Sequence, residues 1–236
     1  MIDKAWAAVD DYFVDHLLDS DPTLDSLLAA NAAAGLPTHD VTPSQGKMLN
    51  LLARLQGARR ILEIGTLGGY SSVWLARALT DEGKLITLEV EPRHADVAKK
   101  NFERAGVSRR VELHLGDAID SLAKLYAADE GPFDFVFIDA DKKRNSDYFS
   151  WALKLCRNGA LIIIDNVVRD GAVVDHTSSD PSVIGVRTLV EMMEREPNVC
   201  ATALQTVGSK GYDGFIMAIV GDSSQSRTRQ FTDRFH

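Results

Sequence analysis

A chain of 236 residues that is 45% hydrophobic can bury one α/β core with room for an appendage. Its formal charge of −8, with Lys and Arg scattered rather than clustered, argues against a phosphate-binding footprint and so against nucleic acid as partner. Acids interrupt the N-terminal segment, no run is long enough to cross a bilayer, and the 2 cysteines, Cys156 and Cys200, make no disulfide framework. A soluble protein of a reducing, cytoplasmic compartment is expected, with both thiols free and buried in apolar segments.

Residues 3–19 carry Trp6, Val9, Phe13 and Leu17 at helical spacing, and Asp21-Pro22 opens a second helix with Leu24, Leu27 and Leu28, stopped by Gly35 and Pro37. The apolar stripes of these two helices have three possible partners: the active site, a second subunit or the flank of a sheet. Thr42-Pro43-Ser44-Gln45 has the form of a capping box at the head of a third helix. It either caps an ordinary helix or brings Val41 and Thr42 to a ligand. Next, RRILEIGTLGGYSS (59–72) reads as strand, tight Gly-rich turn and helix, the opening unit of an open sheet that sets a nucleotide-like ligand over a helix N-terminus. Gly65, Gly68 and Gly69 can take positive φ and leave no Cβ in the ligand's way.

The pattern then repeats: strands at 84–90, 110–115, 133–139 and 160–165 alternate with helices from Pro92, through Ile119 to Leu125, and around 148–156. Near-continuous apolar strands of this kind form a parallel sheet buried on both faces. A long polar loop (166–181) leads to a helix through Val186, Leu189 and Met193. Two last strands, about 199–207 and 215–220, are joined by a short Gly-rich turn and should pair antiparallel. The polar tail, 222–236, is expected to fray. With no repeat and no boundary, residues 1–236 read as a single domain, with 1–41 as a helical appendage.

The strand ends carry the chemistry. Glu63, at the end of the first strand, would repel a pyrophosphate but suits an ammonium or sulfonium group. Leu67 occupies the place of the second glycine in a dinucleotide fingerprint, so S-adenosylmethionine fits better than NAD. Glu89 ends the second strand, either as an acceptor for both ribose hydroxyls or as a solvated acid. Asp117 and Ala118, after Gly116, fall where an adenine edge would lie. Asp139 and Asp165-Asn166 close the fourth and fifth strands, whose ends lie roughly 5 Å apart if the strands are neighbours. Two carboxylates and an amide carbonyl make a hard-cation site for Mg²⁺, with Ca²⁺ or Mn²⁺ possible; the alternative is an Asp that caps the next helix. Lys142, one turn after Asp139, has its charged form disfavoured by a neighbouring cation and by burial, and so qualifies as a general base. Lys143 and Arg144 are expected in solvent, Asp141 to contact the cofactor or cap a helix, and His39 and His176 to lie on the surface.

These motifs together (EIGTLGGYSS, LITLEVEP, FVFIDADK, IIIDNVVRDG and KGYDGF) resemble the cation-dependent class I O-methyltransferases of the caffeoyl-CoA and catechol type over residues 42–220, with DADK closer to the bacterial branch. The resemblance implies an open Rossmann-like, mostly parallel sheet of order 3-2-1-4-5-7-6, with strand 7 antiparallel. It implies metal binding by Asp139, Asp165 and Asn166, and deprotonation of the acceptor hydroxyl by Lys142. It further implies S-adenosylmethionine held by Glu63, Gly65, Thr66, Gly69, Tyr70, Ser71 and Glu89, with Asp139 beside it. A small phenolic or catechol acceptor and a homodimer are expected on the same ground. Two rivals are an NAD-dependent oxidoreductase and a non-catalytic S-adenosylmethionine-binding module. The first must accept a pyrophosphate at the obstructed turn; the second leaves Asp139, Lys142, Asp165 and Asn166 without a purpose.

Overall fold

The computed structural model of the protein describes residues 4–221, so the tail expected at 222–236 lies outside the described residues. Three helices, α1 (Lys4–Leu17), α2 (Pro22–Ala33) and α3 (Pro43–Leu55), precede the sheet. Its strands are β1 (Arg60–Ile64), β2 (Lys84–Glu89), β3 (Val111–Leu115), β4 (Phe133–Ile138), β5 (Cys156–Asp165), β6 (Val199–Gly208) and β7 (Gly211–Val220). The order is β3-β2-β1-β4-β5-β7-β6. Pairing is parallel from β3 to β5, and β7 runs antiparallel to both β5 and β6, as expected. The connecting helices are α4 (Tyr70–Ala76), α5 (Pro92–Arg104), α6 (Ala118–Ala127), α7 (Asn145–Leu155) and α8 (Pro181–Arg195).

Strand alternation divides the core in two. Leu62, Ile64, Ile86, Val136 and Ile138 meet Leu122, Phe149 and Leu189 of α6, α7 and α8 on one face. Ile61, Leu85, Phe135 and Phe137 meet Leu27, Leu49, Val73 and Phe102 of α2 to α5 on the other. Each such side chain contributes roughly 1.5–3 kcal/mol by leaving water. Thr42 does head α3 in a reciprocal capping box, its hydroxyl accepting from the Gln45 amide at 3.2 Å while Gln45 Oε1 accepts from Thr42 N at 3.3 Å.

The appendage divides between the expected alternatives. Helix α2 packs on the sheet's flank through buried Leu24 and Leu27, and its Asn31 is tied inward: Asn101 Nδ2 donates to Asn31 Oδ1 at 2.9 Å and to the Gly68 carbonyl at 2.8 Å. Helix α1 buries no residue, and the stripe read from its sequence is turned outward, with Val9, Phe13 and Leu17 exposed. Of that stripe Trp6 alone is half-buried, together with Ala7, Asp10 and Val14, on the face where Asp10 Oδ2 accepts from Ser209 N at 2.7 Å in the β6–β7 turn. The thiols also differ from expectation. Both are free, but Cys156 is half-buried and Cys200 is exposed, since β6 is the edge strand and has β7 alone to cover it.

The glycines of the opening turn answer to the protein itself. A Cβ on Gly68 would fall 2.0 Å from Asn31 Oδ1, and one on Gly69 (φ +82°) would fall 2.5 Å from the Phe102 ring. Gly68→Ala is therefore expected to destabilise the fold by about 1–3 kcal/mol, read as a lower urea midpoint. An unchanged midpoint would show that Asn31 gives way without cost.

Candidate functional site

Along the carboxyl ends of β1, β2, β4 and β5 lies a cleft of about 880 Å³, bounded on its far side by the β6–β7 turn. The chain passes outward from β1 to β2 and β3, then returns to place β4 on the other side of β1, so the cleft straddles a topological switch point. At that point the two strand ends press together. Gly65 has φ +99°, and a Cβ there would sit 2.3 Å from the Asp139 carbonyl oxygen.

Of the residues singled out from the sequence, Val41, Thr42, Gly65, Thr66, Ser71, Glu89, Ala118, Asp139, Lys142, Asp165 and Asn166 line this cleft. Glu63, Gly69, Tyr70 and Asp117 are absent from its lining. Glu63 is the informative departure. The alternation of β1 sends its side chain to the α4 face, beside its cross-strand neighbour Thr87. There it has no exposure, and its carboxylate accepts from Ser71 Oγ at 2.6 Å, from Thr87 Oγ1 at 2.7 Å and from Ser72 Oγ. Burial pushes its carboxyl up to about 7, against the three hydroxyl donors that favour the charged form. The group thus ties strand end to helix start and lies behind the cleft wall, not in its lining. Gly69 and Tyr70 likewise pack into the α2–α5 layer. Asp117 caps α6, accepting from Ile119 N at 2.8 Å, and holds Arg144 Nη1 at 2.8 Å.

Glu89 does face the cleft, and its two oxygens are taken up by four backbone amides: Thr66 and Leu67 on Oε2 (3.3 and 2.8 Å), Val90 and Glu91 on Oε1 (2.9 Å each). It anchors the Gly-rich turn to the end of β2 as well as bounding the cavity. Arg144, expected in solvent, also lines the cleft and donates to Tyr148 at 3.0 Å, while Lys143 remains exposed as expected. Asp141 accepts from the Tyr148 hydroxyl and makes no cap hydrogen bond. His39 is exposed and at the same time lines the cleft.

The floor of the cleft gathers the acids of β4 and β5. Lys142 follows Asp139 in a short 3₁₀ turn (Lys142–Arg144), 8% exposed, with Nζ 2.7 Å from Asp139 Oδ1. Gly185 lets α8 lie against that turn, for a Cβ there would meet the Lys142 carbonyl oxygen at 2.3 Å. Asp165 is buried, and its carboxyl is held well above the usual range by desolvation and by the nearby Asp139 carboxylate. The donors to Asp165 are neutral: the Gln45 amide, whose Nε2 lies 3.0 and 3.2 Å from the two oxygens, and the Asn166 backbone N–H at 2.9 Å from Oδ1. Sequence reasoning saw Gln45 as a cap and missed this second contact, for which no local pattern exists. It also missed Arg169, Lys210 and Asp213 in the lining, although KGYDGF contains the last two.

Two mutually repelling carboxylates and the Asn166 amide, all oxygen donors, fit a hard divalent cation, which would supply the positive charge that Gln45 cannot. No group of three or more His, Cys, Asp or Glu side chains among the described residues is arranged to hold a metal; the set here is two acids and an amide.

The O-methyltransferase family model matches residues 15–218. The chain belongs to the O-methyltransferase family. It is 50% identical to a catechol O-methyltransferase of Niastella koreensis over 223 residues, 93% of this chain and 100% of that one. Among solved structures it resembles the O-methyltransferase of Bacillus cereus in complex with SAH, at 58% identity and a TM-score of 0.91, covering 92% of this chain and 99% of that one. It also resembles an O-methyltransferase of Streptomyces achromogenes involved in tomaymycin synthesis, in complex with SAM, at 49% identity and a TM-score of 0.90, over 93% and 99% of the two chains. The enzyme is accordingly an S-adenosylmethionine-dependent O-methyltransferase with the class I sheet.

Glu63 makes a pH-dependent prediction about this methyltransferase. Its carboxyl titrates near 4.5 when unfolded and about 7 when folded, so its stabilising share is complete below 4.5 and is lost as pH rises through 7. That loss is worth roughly 3 kcal/mol at most. Glu63→Gln is expected to gain stability relative to the wild type between pH 5 and pH 8 in parallel urea titrations. A difference that does not change with pH would mean that Glu63 folds ionised.

Proposed function

We propose that the enzyme methylates one hydroxyl of a catechol-like small molecule, with a divalent cation (Mg²⁺, or Ca²⁺ or Mn²⁺ in its stead) held by Asp139, Asp165 and Asn166. What carries this reading is the convergence of those three oxygen donors and Lys142 on one cleft floor beside the Gly-rich turn. The name of the Niastella relative, matched over its full length, supports the acceptor class. A cation in such a site supplies the positive charge that lowers the pKa of an acceptor hydroxyl. Lys142, displaced from Asp139 by the cation and having first lost its ammonium proton to solvent, takes the hydroxyl proton on its neutral Nζ. The acceptor oxygen then bonds to the sulfonium methyl as the carbon–sulfur bond breaks, and S-adenosylhomocysteine leaves. The chain's own contribution is position and exclusion of water. Val41, Thr42, Gly65, Thr66, Leu67, Ser71 and Ala118 bound the cofactor side, and the ribose hydroxyls share the Glu89 carboxylate with the turn amides. Asp139, at the switch point, faces both cofactor and cation.

We assign the enzyme to the cytoplasm as a homodimer. No helix among the described residues is long and apolar enough to cross a membrane. The outward stripe of Val9, Phe13 and Leu17 on α1, 53%, 49% and 69% exposed, is the apolar face that pairing would cover.

Methyl transfer to catechols is expected to require added Mg²⁺ and to be abolished by EDTA, with Asp165→Ala losing it at least 100-fold. Turnover in EDTA equal to that in Mg²⁺ would remove the cation from the mechanism. Lys142→Ala should keep S-adenosylmethionine binding by calorimetry while kcat falls about 10²–10⁴-fold; full turnover would remove the base. Light scattering after gel filtration should give twice 25.8 kDa, and a monomer mass would count against the pairing.

A further inference from the structure

The Gly-rich turn contains one residue whose conformation has to be imposed. Leu67 holds a left-handed backbone (φ 51°), which a residue other than glycine keeps only where its surroundings require it. From the cleft, Glu89 Oε2 accepts from Leu67 N at 2.8 Å. The next residue, Gly68, is absent from the cleft lining, and its carbonyl accepts from Asn101 Nδ2 at 2.8 Å. Asn101 stands on α5, fully buried, and has no part in the mechanism above.

Asn101 is one link of a longer relay. Arg104 Nη1 donates to Asn101 Oδ1 at 2.7 Å, so this amide presents its NH₂ to the turn. That NH₂ gives one hydrogen to Gly68 and the other to Asn31 Oδ1 at 2.9 Å. Asn31, on α2 and 2% exposed, then points its own NH₂ at Asp40 Oδ1, 2.8 Å away. A guanidinium that only donates stands at one end and a carboxylate that only accepts at the other, so neither buried amide can flip without losing its partners. Asp40 leads directly into Val41 and Thr42, and Lys210 donates to its carbonyl. The relay therefore ties together the two backbone segments that bound the cofactor side of the cleft, the Gly-rich turn and residues 41–42.

We infer that Asn31, Asn101 and Asp40 are positioning residues for S-adenosylmethionine, fixing the turn and the Val41–Thr42 segment at the spacing the cofactor needs. Asn31 and Asn101 do this from outside the cleft lining. The inference rests on the placement of the cofactor between those two segments in the reading above. Without the relay the left-handed turn is populated for a smaller fraction of the time, and the apparent affinity for the cofactor falls by that fraction. Once bound, the cofactor holds the turn itself, so the loss appears in binding and not in the rate of methyl transfer.

The test is calorimetric titration of the whole enzyme with S-adenosylmethionine, beside urea midpoints and kcat at saturating cofactor. Asn31→Asp keeps an acceptor for Asn101 but sets a second carboxylate against Asp40. It is expected to raise the Kd about 10-fold while kcat stays within about 2-fold. Adding Asp40→Asn exchanges amide and carboxylate and rebuilds both hydrogen bonds, one of them reversed, so the double variant should return the Kd to within about 3-fold of the wild type. Should Asn31→Asp not fold, Asp40→Ala, which removes only the half-buried end of the relay, is expected to raise the Kd about 3- to 10-fold. An unchanged Kd in these variants, or a double variant no better than Asn31→Asp alone, would overturn the inference. So would a lowered urea midpoint with the Kd intact, which makes the relay structural only. Glu89→Gln separates the two readings. If it too binds normally, the placement of the cofactor fails together with the relay; if it binds weakly while Asn31→Asp binds normally, the relay alone fails.

Discussion

A carboxyl group with no access to water holds the opening turn in place. Glu63 gathers hydroxyls from β2 and from the first turn of α4, and those three contacts fix how the end of β1 hands over to the helix. Burying such a group is unfavourable unless its lone pairs are met, and here the neighbouring strand and helix meet them. With the turn so fixed, Gly65 can press on the Asp139 carbonyl and Glu89 can gather the turn amides. Each wall of the cleft therefore takes its position from a carboxylate used as a bracket.

The floor works on the opposite principle. Asp139 and Asp165 are drawn together with less positive charge than they need, Lys142 answering one and only neutral N–H donors, from Gln45 and Asn166, the other. A folded chain tolerates such imbalance where a ligand will relieve it. Bracketing acids that are satisfied and floor acids that are not distinguish scaffold from chemistry within one sheet edge.

The sheet was legible because its signals are local. Apolar runs end at Gly or Asp, helices open on Pro and close on Gly, and the positions of Asp139, Asp165 and Asn166 at strand ends follow from that punctuation. The facing of Glu63 was not legible. A strand buried on both faces shows no polar alternation, so nothing in ILEI says which side the acid takes. The glycines were read as clearance for a ligand, but their neighbours, Asn31, Phe102 and Asp139, come from elements far off in sequence. The α1 stripe is amphipathic in the primary sequence, yet the half-buried side is the one that carries Trp6 and the polar contact of Asp10 with the β6–β7 turn.

Gln45 does two jobs at once. Its carbonyl oxygen closes the cap of α3 beside Val41 and Thr42, and its amide nitrogen rests on both oxygens of Asp165. Whatever draws on the lone pairs of Asp165 draws on that amide too, and so on the loop that borders the opposite side of the cleft. A single side chain thus joins the acid on the cleft floor to the helix start that borders the opposite side of the cavity.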